Sequence, residues 1–195
     1  MLYAHNARTG VSRFGQSFPL IIVLVLMVGL FAQVSCSGSS SSKSSGKDSK
    51  ETSSSQGDAP NFKLESLDGE TVELSKLKGK IVVIDFWATW CPPCRITLPL
   101  VNKVYEKTRG KDVEVFGIST DRSEASKVKA FIKKNNISMP ILHDKTGVIA
   151  NNYGVRGIPT MVIIDKKGNI HQKHVGGDPS LDKKVLKEIE DLLGD

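Results

Sequence analysis

The stretch that decides the fold is Phe86-Trp87-Ala88-Thr89-Trp90-Cys91-Pro92-Pro93-Cys94. An apolar run ends here and a helical pattern begins, so the two thiols lie where a strand gives way to a helix. One helical turn brings the second sulfur beneath the first, and a short-loop disulfide can then close and reopen without large backbone movement. The sequence therefore predicts a redox-active cysteine pair.

The two cysteines are expected to differ in exposure and reactivity. At a helix N-terminus, Cys91 meets unpaired N–H groups and the positive end of the helix dipole, which favour its thiolate form. Cys94 lies one turn further inside the helix and is shielded. We predict that Cys91 is an exposed nucleophile and that Cys94 is the resolving thiol.

Strand and helix patterns alternate on both sides of this stretch. The β-branched run Ile81-Val82-Val83-Ile84 is typical of a strand covered on both faces, and Asp85 ends that run. A helix follows the cysteines, residues 113–118 form the next strand, and residues 121–124 match a capping box before another helix. Two further strands at 161–164 and 170–175 precede a last amphipathic helix. This order predicts an α/β fold around a mixed central sheet.

Composition limits the size and the partners of the folded part. The chain has 195 residues, of which 39% are hydrophobic, and its formal net charge is +6. That length accommodates one well-buried domain and a tail. Lysines and acids alternate through the C-terminal two thirds, as on a solvated surface, so we expect no nucleic-acid partner.

The N-terminal segment predicts export. Residues 1–13 carry two arginines and no acid, and residues 18–31 form an apolar run shorter than the roughly 20 residues of a spanning helix. We assign residues 1–35 to a signal peptide; the alternative is an uncleaved anchor. Cys36 follows at once and resembles the lipid-bearing cysteine of a bacterial lipoprotein, although it could also be an incidental thiol. Residues 36–58 are assigned to this cysteine and a Ser-rich tether, and residues 59–195 to the folded domain.

The complete series of motifs resembles a known family. A strand, Trp90-Cys91-x-x-Cys94, a helix that contains Pro99, and a later Ile158-Pro159-Thr160 occur in this order in thioredoxin-fold proteins, and more narrowly in exported thiol–disulfide oxidoreductases of the TlpA/ResA type. The resemblance implies a thioredoxin fold with a central mixed sheet flanked by helices. It also implies an N-terminal strand extension and a central insertion over residues 121–153.

The resemblance extends to residues around the cysteines. Pro159 would form a cis peptide bond facing the disulfide and expose the backbone of Ile158 for pairing with a substrate segment; the alternative is an ordinary trans proline. Trp90 would shelter the thiols, unless it is a core residue. Together with Pro92 and Pro93, these residues would form the substrate-binding surface.

Asp85 is the third candidate catalytic residue. It falls where thioredoxins bury an acid behind the second cysteine, and burial would allow it to take the proton of Cys94 during attack on a mixed disulfide. The alternative is a strand-end acid turned to solvent. Thioredoxins often pair this acid with a lysine on the neighbouring strand, but the only charged residue that strand offers here is Glu114.

The function implied by the resemblance is reduction of disulfides in exported or envelope proteins, apocytochrome c included. The protein would be extracytoplasmic and membrane-anchored through its lipid, with protein thiols or disulfides as substrates and a membrane protein as electron donor. We expect no metal and no cofactor. A zinc site with His171 and His174 is disfavoured because residues three apart on a strand face opposite sides. Haem attachment would need histidine where Arg95 stands.

Two alternatives on the same scaffold remain open. A Sco-like copper-binding protein uses a longer cysteine spacing and a distal histidine, for which His143 is a candidate. A peroxiredoxin-like peroxidase uses a Thr-x-x-Cys context, which the cysteine motif here lacks. Insulin reduction, peroxide turnover and copper titration distinguish the three activities.

Overall fold

The structure is a computed structural model that describes residues 57–194. The predicted signal peptide, Cys36 and nearly all of the tether lie outside the described residues. The strands of the described part are β1 (Lys63–Glu65), β2 (Thr71–Glu73), β3 (Ile81–Trp87), β4 (Val113–Ser119), β5 (Ile141–His143), β6 (Thr160–Ile164) and β7 (Ile170–Val175). The helices are α1 (Pro92–Thr108), α2 (Ala125–Lys134), α3 (Val148–Asn152) and α4 (Leu181–Gly194), with a 3-10 helix at Leu74–Leu77.

The central sheet has the strand order β5-β4-β3-β6-β7. Strands β3, β4 and β5 run parallel, whereas β6 and β7 are antiparallel to their neighbours. Strands β1 and β2 form a separate hairpin before the sheet, and α2, β5 and α3 lie between β4 and β6. The predicted mixed sheet, N-terminal extension and central insertion are therefore confirmed.

Strand β3 is buried along its whole length and separates two apolar layers. Side chains alternate across a strand, so Val83 and Trp87 lie in the layer with α1 and α4, whereas Ile84 and Phe86 lie in the layer on the opposite face. Asp85 has the same parity as Val83 and Trp87. The sheet therefore directs its carboxyl toward the layer that contains both cysteines.

Two local predictions were wrong. Strand β3 continues to Trp87, so Asp85 lies inside the strand rather than at its end. The capping box at residues 121–124 does not form: Glu124 is the N-cap of α2, without a side-chain cap bond. The Asp121 carboxylate instead accepts hydrogen bonds from Thr89, in the loop that precedes Cys91. Among residues 57–194, no helix combines the length and the apolar character needed to cross a membrane.

Candidate active site

The cysteine pair forms a disulfide at the N-terminus of α1. Cys91 and Cys94 are bonded, with their Cα atoms 5.3 Å apart. Cys91 is the N-cap residue of α1, and the Cys94 N–H donates to Cys91 Sγ over 3.2 Å. In the reduced protein the same N–H, together with the positive end of the helix dipole, would stabilise a thiolate on Cys91.

The exposure of Cys91 differs from the prediction. Only 3% of Cys91 is accessible, and Cys94 is fully buried. The expectation of an openly exposed thiol was wrong because the loop that contains Ile158 covers it: Ile158 O lies 3.7 Å from Cys91 Sγ. Cys91 is still the more accessible of the two sulfurs. A substrate disulfide therefore has to come into close contact with the surface around Cys91 to reach it.

The loop facing the disulfide contains the expected cis bond. The Ile158–Pro159 peptide bond is cis, so the alternative of a trans proline is wrong. The Gly176 N–H donates to Pro159 O over 2.9 Å, and Thr160 Oγ1 donates to Gly157 O over 2.7 Å. These bonds fix the loop on both sides of Pro159 and hold the Ile158 carbonyl beside Cys91.

Exposed apolar side chains lie on the segments next to the disulfide. Trp90 is 64% exposed, so it is not a core residue; Trp87 fills the core instead. Ile96 on α1 and Val175 at the end of β7 are also exposed, and Val175 pairs with Thr160 beside the cis bond. Isolated large apolar groups are common on surfaces, whereas several of them near one reactive sulfur are typical of interaction surfaces.

The two prolines of the motif belong to the same surface. Pro92 and Pro93 are both exposed in the first turn of α1. A Cβ added to Gly177 would lie 3.4 Å from Pro93 Cβ, so the loop after β7 passes close to the motif. The residues predicted to bind substrate therefore lie together around Cys91.

Asp85 is fully buried, so the alternative of a solvent-facing acid is wrong. Neither carboxyl oxygen has a hydrogen-bond partner among the described residues. Its neighbours in the sheet are Gly117 on β4 and Met161 on β6, and neither side chain supplies a charge. Burial raises the pKa of Asp85 from 3.8 to about 7. This carboxyl can therefore exchange a proton near neutral pH.

The sequence analysis missed the residues that hold the loop before Cys91. Asp121 is buried, and its carboxylate accepts from the Thr89 N–H over 2.9 Å and from Thr89 Oγ1 over 2.6 Å. Ser119 Oγ also donates to it over 2.8 Å. Asp121 therefore fixes the backbone two residues before the nucleophile. The one signal in the sequence was Thr89, a polar residue inside an apolar stretch. No local pattern indicated which residue would bind it.

A second set of contacts holds the same loop from the helix side. The guanidinium group of Arg95 donates to Thr89 O from Nε over 3.0 Å and from a terminal nitrogen over 2.8 Å. It also lies 5.8 Å from the ring centroid of Phe131, which packs against Trp87. Arg95 therefore links the first turn of α1 to the loop that precedes this helix. From the sequence, Arg95 was noted only because haem attachment would require a histidine at its position.

We predict that Asp121→Asn destabilises the protein by about 1–3 kcal/mol, because the partly buried donors on Thr89 and the buried hydroxyl of Ser119 lose a carboxylate acceptor. Urea unfolding of the oxidised protein measures this change. Thr89→Val, which removes one donor, should also destabilise, whereas Thr89→Ser should retain most of the stability. An Asp121→Asn protein as stable as the parent would show that these bonds contribute nothing.

The histidines proposed as metal ligands are engaged elsewhere. His143 Nε2 lies 2.8 Å from Asp121 O, within hydrogen-bond distance. His174 Nε2 lies 3.1 Å from Glu188 on α4. Copper binding through His143 would require loss of the first contact. No observed contact favours the Sco-like alternative.

Comparisons with known proteins identify the family of the chain. The model of the AhpC/TSA family matches residues 56–173. The thiol–disulfide oxidoreductase ResA of Bacillus thuringiensis subsp. konkukian is 36% identical over 136 residues, which are 70% of this chain and 75% of that protein.

Solved structures show the same relationship. A thiol:disulfide interchange protein of the thioredoxin family from Chlorobium tepidum superposes with a TM-score of 0.62 at 28% identity, covering 71% of this chain and 97% of the other. The exposed lipoprotein thioredoxin Etrx1 of Streptococcus pneumoniae gives a TM-score of 0.60 at 30% identity, covering 68% and 100% of the two chains. The chain therefore belongs to the AhpC/TSA family and is a thiol–disulfide oxidoreductase of the ResA type with a thioredoxin fold.

Proposed function

We propose that this protein is a membrane-tethered, extracytoplasmic enzyme that reduces disulfides in exported or envelope proteins. Residues 1–35 act as the signal peptide, and residues 36–58 carry a lipidated Cys36 and the flexible tether of the domain at 59–195. The similarity to Etrx1, an exposed lipoprotein thioredoxin, supports this arrangement. A single acyl chain binds membranes only marginally, so Cys36 would carry more than one chain.

The observation that carries the proposal is the position of the Cys91–Cys94 disulfide. It lies at the N-terminus of α1, with the Ile158 carbonyl beside the more accessible sulfur and a buried acid on the same face of the sheet. The carbonyl supplies an acceptor for the backbone of an extended substrate segment. The exposed side chain of Trp90 and the prolines of the motif provide apolar contact.

The reaction proceeds in two exchanges. The Cys91 thiolate attacks one sulfur of a substrate disulfide, the substrate S–S bond breaks, and a mixed disulfide forms while the other substrate sulfur leaves as a thiolate. Cys94 then transfers its proton to Asp85 and attacks Cys91 Sγ. The mixed disulfide breaks and the second substrate sulfur leaves. The substrate gains two electrons, and the enzyme ends with the Cys91–Cys94 bond.

A reductant must return the enzyme to its dithiol form. We propose that a membrane protein supplies these two electrons through the same surface, because Cys91 is the more accessible cysteine of the pair. Apocytochrome c is included among the proposed substrates, on the basis of the resemblance to the TlpA/ResA group. Its cysteines would be kept reduced by this exchange.

A trapping experiment tests the proposed function. The full chain with Cys94→Ser cannot resolve a mixed disulfide, so substrates should accumulate on Cys91 as adducts that a reducing agent releases. Cells are quenched with acid and alkylated, and the adducts are identified by mass spectrometry. Cys91→Ser with Cys94 intact is the matched control and should capture nothing.

The outcome of the trap separates the parts of the proposal. Exported proteins in the adducts support an extracytoplasmic reductase, and apocytochrome c among them supports the finer assignment. The absence of any Cys91-dependent adduct would contradict the oxidoreductase role in cells. Metabolic labelling with an alkynyl fatty acid tests the anchor, because Cys36→Ala should remove the label.

A further inference from the structure

We propose that three arginines around the disulfide select substrates that carry acidic residues next to an apolar segment and a cysteine. Arg95, Arg122 and Arg156 form this arginine rim. The inference rests on the proposed function and defines the substrate class of the same site. It concerns recognition of the substrate and leaves the exchange chemistry unchanged.

Arg95 contacts the site directly, whereas Arg122 and Arg156 stand beside site residues in the sequence. Arg95 follows Cys94 directly, and its guanidinium binds Thr89 O. Arg122 follows Asp121, whose carboxylate binds Thr89. Arg156 precedes Ile158 by two residues, at most about 7 Å along the chain. All three side chains are exposed. The three arginines therefore stand on the segments that adjoin the loop before Cys91 and the cis bond.

The acidic side chains in the loops at the disulfide end of the sheet already form hydrogen bonds or ion pairs within the protein. Asp121 is bound by Thr89 and Ser119, and Glu124 pairs with Lys145 over 3.0 Å. Asp144 is buried and accepts from the Ala150 N–H, while Asp178 pairs with Lys184 over 2.6 Å. Across residues 57–194, no ion pair is formed by any arginine of the rim.

The residue type matters as much as the charge. Residues 57–194 contain four arginines among many lysines, and three of the four form the rim. The fourth, Arg109, lies at the C-terminal end of α1 and pairs with Glu106. A guanidinium group presents a rigid fork of donors that matches a carboxylate in bidentate geometry, which an ammonium group does not. The rim therefore offers carboxylates on a partner three guanidinium groups that form no ion pair within residues 57–194, although that of Arg95 also donates to Thr89 O.

The apolar surface and the rim together define one class of partner. Protein interfaces commonly combine an apolar centre with a polar rim, and complementary charges fix orientation and suppress wrong partners. A segment with an apolar residue beside its cysteine and Asp or Glu on the flanks fits this arrangement. A segment flanked by Lys would place like charges together. We infer that the enzyme discriminates between these segments.

The test measures single-turnover reduction of two matched peptides. Each has one intramolecular disulfide and the same apolar residues, with Asp flanks in one peptide and Lys flanks in the other. Reduced enzyme is mixed with each peptide, and the second-order rate constant is followed by tryptophan fluorescence. We expect a rate constant about tenfold higher for the Asp peptide, falling at high salt because the contacts are exposed.

Variants connect the preference to the rim. The double variant Arg122→Gln/Arg156→Gln should reduce the ratio to about threefold or less, since each exposed charge pair contributes only modestly. Arg95 is left intact because it also holds Thr89. Arg109→Gln makes the same change of residue at a distant site and should leave the ratio unchanged. Equal rate constants for the two peptides, or the same loss in Arg109→Gln, would overturn the proposal.

Two further measurements separate this proposal from others. Failure of the enzyme to reduce either peptide or the uncharged bis(2-hydroxyethyl) disulfide would contradict the proposed function itself; normal reduction without a charge preference would contradict only the rim. Arginines also bind phosphate, so vesicles of anionic and of zwitterionic phospholipid are included. Rim-dependent retention on the anionic vesicles without a peptide preference would overturn the proposal in favour of a membrane-docking surface.

Discussion

Replacing Asp85 by Asn is expected to stabilise the oxidised protein by up to about 4 kcal/mol at pH 8, because the buried carboxylate has no compensating partner. Both of its oxygens are buried, without a hydrogen bond from any described residue. Asn has nearly the same shape and carries no charge. The variant therefore removes the cost of ionising a carboxyl in an apolar layer.

The gain should depend on pH with a defined sign. Burial raises the pKa of Asp85 from 3.8 to about 7, so between these values the folded protein holds a proton that the unfolded chain has released. The stability of the parent therefore falls as pH rises from about 4 to about 7 and is lowest above that range. Parent and variant should be nearly equal in stability near pH 4.

Urea unfolding of both oxidised proteins at pH 4.5 and pH 8 measures this difference. Asp121→Asn is the matched control, because it makes the same change at a buried aspartate whose carboxylate is fully hydrogen-bonded. That variant should be less stable than the parent at pH 8. A loss of stability in Asp85→Asn at pH 8, or a difference that does not vary with pH, would contradict the account of Asp85.

The same substitution is expected to slow resolution of the mixed disulfide by about 100-fold at pH 7.5, because a positioned base contributes about 10²–10⁴ to a proton-transfer step. Cys94 is fully buried and must lose its proton before it attacks Cys91. Asp85 lies in the sheet face that packs against α1, and bulk water does not reach its carboxyl. The variant offers no group there that can accept the proton.

The rate is measured by single turnover of a disulfide peptide, with acid quenching, alkylation and separation of the mixed-disulfide form. In the parent, the resolution rate should rise with pH through about 7 as Asp85 ionises, and the variant should lack this inflection. Formation of the mixed disulfide at Cys91 is the internal control and should be unaffected. An unchanged resolution rate in Asp85→Asn would show that Cys94 loses its proton by another route.

Elements with a strong local pattern could be predicted closely from the sequence. The start of β3, the strand at Ile170–Val175 and the helix after Cys91 were assigned correctly, because their periodicity depends on residues that are neighbours in the sequence. The predicted capping box before α2 does not form, because its outcome depends on a segment that is distant in the sequence. Asp121 is chemically suited to cap α2, but a loop 32 residues earlier in the chain competes for the same carboxylate and binds it.

The exposure of the site residues was the least predictable property. Cys91 was expected to be open, yet the loop before β6 brings Ile158 against it from 67 residues away. Trp90 and Trp87 are both tryptophans in the same short stretch, but one is exposed and the other fills the core. A sequence pattern assigns residues to faces of an element. It does not determine which distant segment covers each face.

The sequence by itself determined the order of strands and helices, the place of the thiol pair at a helix start and the position of Asp85 directly after a β-branched run. These features depend on local periodicity and on residue types that suit them. Only the tertiary structure decided that Gly117 and Met161 flank Asp85 and leave its carboxyl without a partner. It also decided that Asp121 holds Thr89. The reason is physical: such contacts form between segments brought together by sheet register and long-range packing, which no local pattern encodes.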